Sequence, residues 1–240
     1  MKIIKRLGLA VVSLLLVDSA WSYNVLTVGG HPLKWGSSTV GTGANISWSL
    51  MIDDICFDGG TCSSLTPLMP AGFIDEIDRA LDTWAAVADL TFTLSTETDA
   101  GSYISGKGDI RLGAKAIDGH HSVLAHAGGY VSVIEPGWVA TEVHFDSAEN
   151  WTIGSTGVDI YSIALHEIGH TLGLGHSNVN GSVMKAMFNT SNSFSGLSDY
   201  DIAGIQYLYG VNASHIPLPP SAIFFASGLL LLLKGKIRIS

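Results

Sequence analysis

His166-Glu167-Ile168-Gly169-His170-Thr171-Leu172-Gly173-Leu174-Gly175-His176 places three imidazoles and a carboxylate within eleven residues. His166 and His170 are four apart, so on a helix their rings leave one face and can share a metal ion. Glu167 follows the first ring, where its carboxylate can take a proton from an attacking water. Gly173 lets the helix end and the chain turn sharply. The turn brings His176 round as a third ligand. Three nitrogens leave one coordination position open, as a catalytic zinc requires and a structural zinc does not.

The long pattern HExxHxxGxxH is far more specific than HExxH alone, which also arises on helices that merely bury histidines. Met184 lies eight residues after His176, within Gly181-Ser182-Val183-Met184. A lone methionine is ordinarily packing, but after this motif it reads as the Met-turn beneath the zinc. Ser177 follows the third histidine, and with it the stretch resembles the matrixin branch of the metzincins. Phe73-Ile-Asp-Glu-Ile-Asp-Arg-Ala-Leu-Asp-Thr-Trp84 is similar to that family's first helix, and Leu90-Thr-Phe92 follows it. Leu124-Ala-His-Ala127, His144-Phe-Asp146 and Glu149-Asn-Trp-Thr152 resemble its metal-loop and strand segments. Leu197-Ser-Asp-Tyr-Asp-Ile-Ala-Gly-Ile-Gln-Tyr-Leu-Tyr-Gly210 resembles its last helix. The likeness runs from Trp35 to Gly210.

The resemblance implies an α+β metzincin (zincin) domain: a twisted, mostly parallel sheet, three main helices, an active-site helix and a Met-turn. It implies a zinc endopeptidase acting on polypeptides, with zinc on His166, His170 and His176 and Glu167 as general base. Leu124 and Ala125 would pair with an extended substrate. Calcium is expected on Asp118, Asp146 and Glu149. A second zinc would use His126 and His144, but the family's other two ligand positions fall on Arg111 and Gly113, which cannot bind it. His120 or His121 is a candidate substitute, the alternative being that both are ordinary solvated loop residues. The family's Pro after the Met-turn is absent from Met184-Lys-Ala-Met-Phe-Asn-Thr-Ser191, so the preferred side chain is unreadable. Two other classes remain open: a catalytically silent surface binding protein, and a component of an extracellular matrix.

Residues 1–22 read as a secretory signal: Lys2, Lys5 and Arg6, an apolar run, then Ala20-Trp-Ser22 before Tyr23. At the other end Pro217-Leu-Pro-Pro220 precedes an apolar run, and Lys234, Lys236 and Arg238 follow it. This layout resembles the PEP-CTERM sorting tails, in a Pro-Leu-Pro variant. It implies a Gram-negative source, transient membrane contact and processing by an exosortase-like enzyme; a single-pass anchor is the alternative. The expected organisation is signal 1–22, catalytic domain 23–213 and tail 214–240.

Residues 23–215 carry six Lys+Arg against twenty Asp+Glu. So acidic a domain is a poor nucleic-acid binder. Cys56 and Cys62 flank a Gly-rich loop in an exported chain, so a disulfide is expected. Neither lies in a segment resembling the family's propeptide switch, and no thiol capping of the zinc is expected.

Apolar alternation predicts a strand over 45–50. Ile74, Ile77, Leu81 and Trp84 predict a helix over 71–88. Strands are expected at 91–94, 109–112 and 142–145, with a Gly/His-rich loop over 114–132. Asp159 is the expected N-cap of a helix over 160–172. Ser198 with Asp201 forms an acidic capping box for the last helix, which Gly210 ends.

Overall fold

The computed structural model describes residues 23–98, 107–132, 137–154, 157–186 and 194–213. The signal, the tail and the stretch 187–191 lie outside the described residues. Among the described residues, no helix is long and apolar enough to cross a membrane.

Five strands form the main sheet: β1 (Ala44–Leu50), β2 (Leu90–Leu94), β3 (Ile110–Lys115), β4 (Ala125–Ser132) and β5 (Gly137–Asp146). Their order is β2-β1-β3-β5-β4. β1 runs parallel to β2 and β3, β3 runs parallel to β5, and only the edge strand β4 is antiparallel. This is the α+β, mostly parallel arrangement that the resemblance implies.

Strand alternation sorts the two faces. Ile46, Trp48, Ile110, Leu112, Val143 and Phe145 are buried in the main core with α1 (Phe73–Ala85) and α2 (Ile160–Thr171). Trp84 joins the layers: its ring is fully buried and its Nε1–H donates to Leu165 O at 3.1 Å. Truncating such a tryptophan costs about 3–5 kcal/mol. α1 is shorter than its periodicity suggests, and Gly72 at φ 91° precedes it without a side-chain cap. Ile74 is 37% exposed, so Phe73 and Ala80 take the inner face with Ile77, Leu81 and Trp84.

On the opposite face Arg111 is fully buried. It bonds Glu97 at 2.7 and 3.1 Å, Glu142 at 2.5 Å and Asp54 at 2.9 Å. Met51, Cys56 and Cys62 cover the neighbouring surface, and a side chain at Gly113 would collide with Met51. Cys56 and Cys62 are disulfide-bonded, with Cα atoms 5.4 Å apart.

The expected loop over 114–132 is a correction: β3 continues to Lys115, and β4 occupies Ala125–Ser132. Residues 116–124 stay a loop, with Gly119 at φ 90°, whereas Gly128 and Gly129 serve close packing in β4. Gly128 gives way to the Phe57 ring, and Gly129 to the backbone at Ala140. The last helix, α3 (Asp199–Tyr209), has the capping box read from the sequence.

Candidate active site

Asp159 caps α2 as expected, its side chain accepting the Ser162 N–H at 3.0 Å. One turn on, His166 and His170 leave the same face with Nε2 atoms 3.1 Å apart. At the far end Gly173 has φ 100°, and a Cβ there would overlap Leu33 O. The reversal carries His176 back, so that ligand atoms of all three rings lie within 4.8 Å of one another.

Backbone carbonyls choose the tautomers. His166 Nδ1 faces Val183 O at 2.6 Å, and His170 Nδ1 faces Leu174 O at 2.7 Å. A carbonyl only accepts, so each Nδ1 carries the proton and each Nε2 lone pair is free. Burial pushes the His166 imidazole down, and pushes His170 to about 4 with help from His166. Both rings are neutral near pH 7, as ligands must be.

The Met-turn supplies one of those carbonyls. Asp201 on α3 accepts Ser182 Oγ–H at 2.5 Å and Val183 N–H at 3.0 Å, while also serving in its own helix cap. Ser177 N–H donates to Met184 O at 2.7 Å. Met184 is buried, and a side chain at Gly169 would run into its sulfur. The methionine thus seats against the helix floor, and the turn holds His166.

Glu167 points into the molecule. Burial pushes its carboxyl up to about 8, opposed by an N–H bond from Ala127. Its Oε2 is buried without a partner. Ala127 belongs to β4, which with residues 121–124 walls a cleft of 530 Å³ shared with His166, Glu167, His170 and His176. Leu124 O accepts Asp146 N–H at 2.9 Å. Residues alternate along a strand, so the free backbone groups facing the cleft belong to Ala125, not to Leu124.

The expected calcium residues lie in one loop region with different duties. Asp146 accepts N–H bonds from Ile117, Asp118, Gly119 and Ala148, which hold its carboxyl below the usual range even though burial raises it. Asp118 accepts Val123 N–H at 3.2 Å. Glu149 is bonded by His121 N–H; its other oxygen is buried without a hydrogen bond, 3.9 Å from Nδ1 of both His120 and His121.

His126 and His144 do meet, with Nε2 and Nδ1 2.9 Å apart. The candidate substitutes, His120 and His121, do not join them and are the solvated loop residues of the alternative reading. Their side chains are 65% and 79% exposed beside Glu149. Asp58 joins instead. It lies in the disulfide loop, remote in sequence from both histidines, and nothing in its neighbours signals the meeting. The bonds of Asp201 to the Met-turn, the Ala127 N–H and the Val183 carbonyl escape sequence reading for the same reason.

Comparison with known proteins agrees with this geometry. Rat stromelysin-2 is 38% identical over 158 residues, covering 63% of this chain and 32% of its own length. Human matrix metalloproteinase-20 is 33% identical over 151 residues, covering 62% and 30%. Metalloendoproteinase 2-MMP of Arabidopsis thaliana is 36% identical over 148 residues, covering 56% and 36%. The matched region thus spans about a third of each of these relatives. The sequence model of the family described as Matrixin matches residues 63–210. That span holds all three histidines, Glu167 and the Met-turn, and the chain belongs to the matrixin family.

Proposed function

We propose that this chain is an exported zinc endopeptidase that cleaves extended polypeptides along the outer edge of β4. The observation that carries the reading is three convergent imidazoles beside a buried carboxylate oxygen with no partner of its own. An all-imidazole set with protons locked on Nδ1 of two rings fits zinc. Zinc, when bound, supplies a Lewis acid that polarises a peptide carbonyl and acidifies water. Glu167 takes the attacking water's proton at Oε2 and returns it to the leaving amine. Ala127 N–H keeps that carboxylate aimed while β4 offers Ala125 to the substrate backbone by strand addition.

The test is hydrolysis of casein with zinc measured in parallel. Glu167→Ala should keep zinc at this centre and lose at least about 100-fold in rate. A chelator should abolish wild-type activity, and added zinc should restore it. Full activity in Glu167→Ala removes the base from the mechanism; activity that survives chelation removes the metal.

Calcium belongs to the same reading. A buried carboxylate oxygen without a hydrogen bond is costly unless a cation meets it, and Glu149 Oε2 is such an oxygen in the loop region of Asp118 and Asp146. The ends of the chain extend the proposal to export and sorting. The support is the basic-apolar-small order of residues 1–22, and the Pro-rich, apolar, basic order of 214–240. The exported protein should therefore lack the segment after about Pro217, removed by an exosortase-like enzyme. Intact-mass measurement decides this: a mass that still includes residues 234–240 makes the tail a permanent anchor.

A further inference from the structure

A second cluster of metal-ligating groups lies under the disulfide loop; one of its members, His126, also borders the cleft. Asp58 Oδ2 is 3.3 Å from His126 Nε2, and Asp58 Oδ1 is 3.8 Å from His144 Nδ1. The two ring nitrogens are 2.9 Å apart. Donors bound tetrahedrally to one zinc at about 2.0–2.1 Å stand roughly 3.3 Å apart. The His126 contacts to Asp58 Oδ2 and to His144 Nδ1 are close to that spacing, and one ligand atom from each of the three residues lies within 4.8 Å of the others.

The surroundings fix which atoms are free. His144 Nε2 is 2.8 Å from Glu142 Oε2. Glu142 meets only donors on its other sides: Phe57 N–H reaches Oε2 at 2.8 Å, and Arg111 reaches Oε1. A carboxylate only accepts, so Nε2 of His144 carries the proton and Nδ1 presents a lone pair to the cluster. Arg111 in turn anchors Glu142 from the other side at 2.5 Å. The residue that displaces one expected ligand thus supports the orientation of a remaining one.

The loop that brings Asp58 is docked. Phe57 N–H donates to Glu142 Oε2 at 2.8 Å, and the Phe57 ring stacks on His144 with centroids 5.4 Å apart. Gly128 leaves the space that ring occupies. The Cys56–Cys62 disulfide closes the loop, and Cys56 N–H donates to Gly60 O within it at 3.1 Å. Lys115 bonds Asp58 Oδ1 at 2.5 Å, leaving Oδ2 turned to His126.

From this geometry we infer that Asp58, His126 and His144 form a second zinc site, whose carboxylate ligand is delivered by the disulfide loop. Two imidazoles and one carboxylate suit zinc over calcium or magnesium, which take oxygen shells. Asp58 and His126 are partly exposed, so water can complete the shell. The inference stands independently of the protease reading.

Zinc titration of the metal-stripped full chain, disulfide intact, tests it. Wild type should bind two equivalents. Asp58→Ala should keep the equivalent at the His166 centre and weaken the other by at least about 100-fold, the upper end for loss of an outer-shell partner. The retained equivalent also shows that the variant folds. His166→Ala with His170→Ala should bind one equivalent, and zinc should raise its melting temperature. Adding Asp58→Ala to that pair should remove both effects. One equivalent in wild type that disappears in the His166/His170 variant overturns the inference. So does undiminished two-site binding in Asp58→Ala.

Discussion

Arg111 shows how one side chain can reorganise a region. Its guanidinium is fully buried among Asp54, Glu97 and Glu142. Removing it leaves buried carboxylates uncompensated, and Arg111→Ala should cost about 3–5 kcal/mol in denaturant unfolding. A loss below about 1 kcal/mol would mean the cluster contributes little. The same cluster sets an acid sensitivity. Burial raises Asp54, but bonds from Lys107 and Arg111 outweigh it and hold the carboxyl below its ordinary value. A depressed folded pKa adds stability that is present above the unfolded value of about 4 and lost as pH falls through the folded one. Stability should therefore fall below about pH 4, and this part of the slope should vanish in Asp54→Asn.

At the scale of elements, α2 is precise because both ends are anchored elsewhere. Its C-terminal reversal depends on Gly173, where a side chain meets both a positive φ and Leu33 O. Gly173→Ala should destabilise by more than about 1–3 kcal/mol and weaken zinc binding, since His176 moves with the turn. The Met-turn depends on Asp201 in α3. Asp201→Ala removes one arm of the α3 capping box, leaving Ser198 as the cap, and leaves Val183 N–H unbonded, for about 2–3 kcal/mol. Because Val183 O orients His166, zinc affinity should fall as well. Calorimetry with zinc titration checks both variants. Unchanged zinc affinity in Asp201→Ala would separate the turn from the metal centre.

For the whole molecule, the edge position of β4 matters most. The sheet ends in a strand whose outer groups border the cleft, which is the edge the proposed substrate would extend. The calcium proposed on the loop carboxylates beside that strand is tested by stability. Calcium at a hundredfold over its dissociation constant should add about 2.7 kcal/mol, raising the melting temperature by roughly 5–10 °C for a domain of this size. No shift in a thermal scan would remove Asp118, Asp146 and Glu149 as ligands.

Local sequence determined what local geometry can express. The spacing of His166, Glu167, His170 and His176 encodes a helix face and a turn, so the centre and its family were legible without coordinates. Asp159, Ser198 and Asp201 cap helices through bonds only a few residues long, and they too could be read. Tertiary structure alone decided what depends on distant approach. Residues 125–132 look like a loop because their glycines make room for Phe57 and the Ala140 backbone, neither of which is near in sequence. His126 and His144 could be paired by resemblance, but the group that joins them could not. Asp58 reaches them only because a disulfide loop folds across the sheet, with Phe57 stacked on His144 and Glu142 holding the loop's backbone. Periodicity and caps are short-range signals; the meeting of remote side chains is set by packing, which no stretch of the chain states by itself.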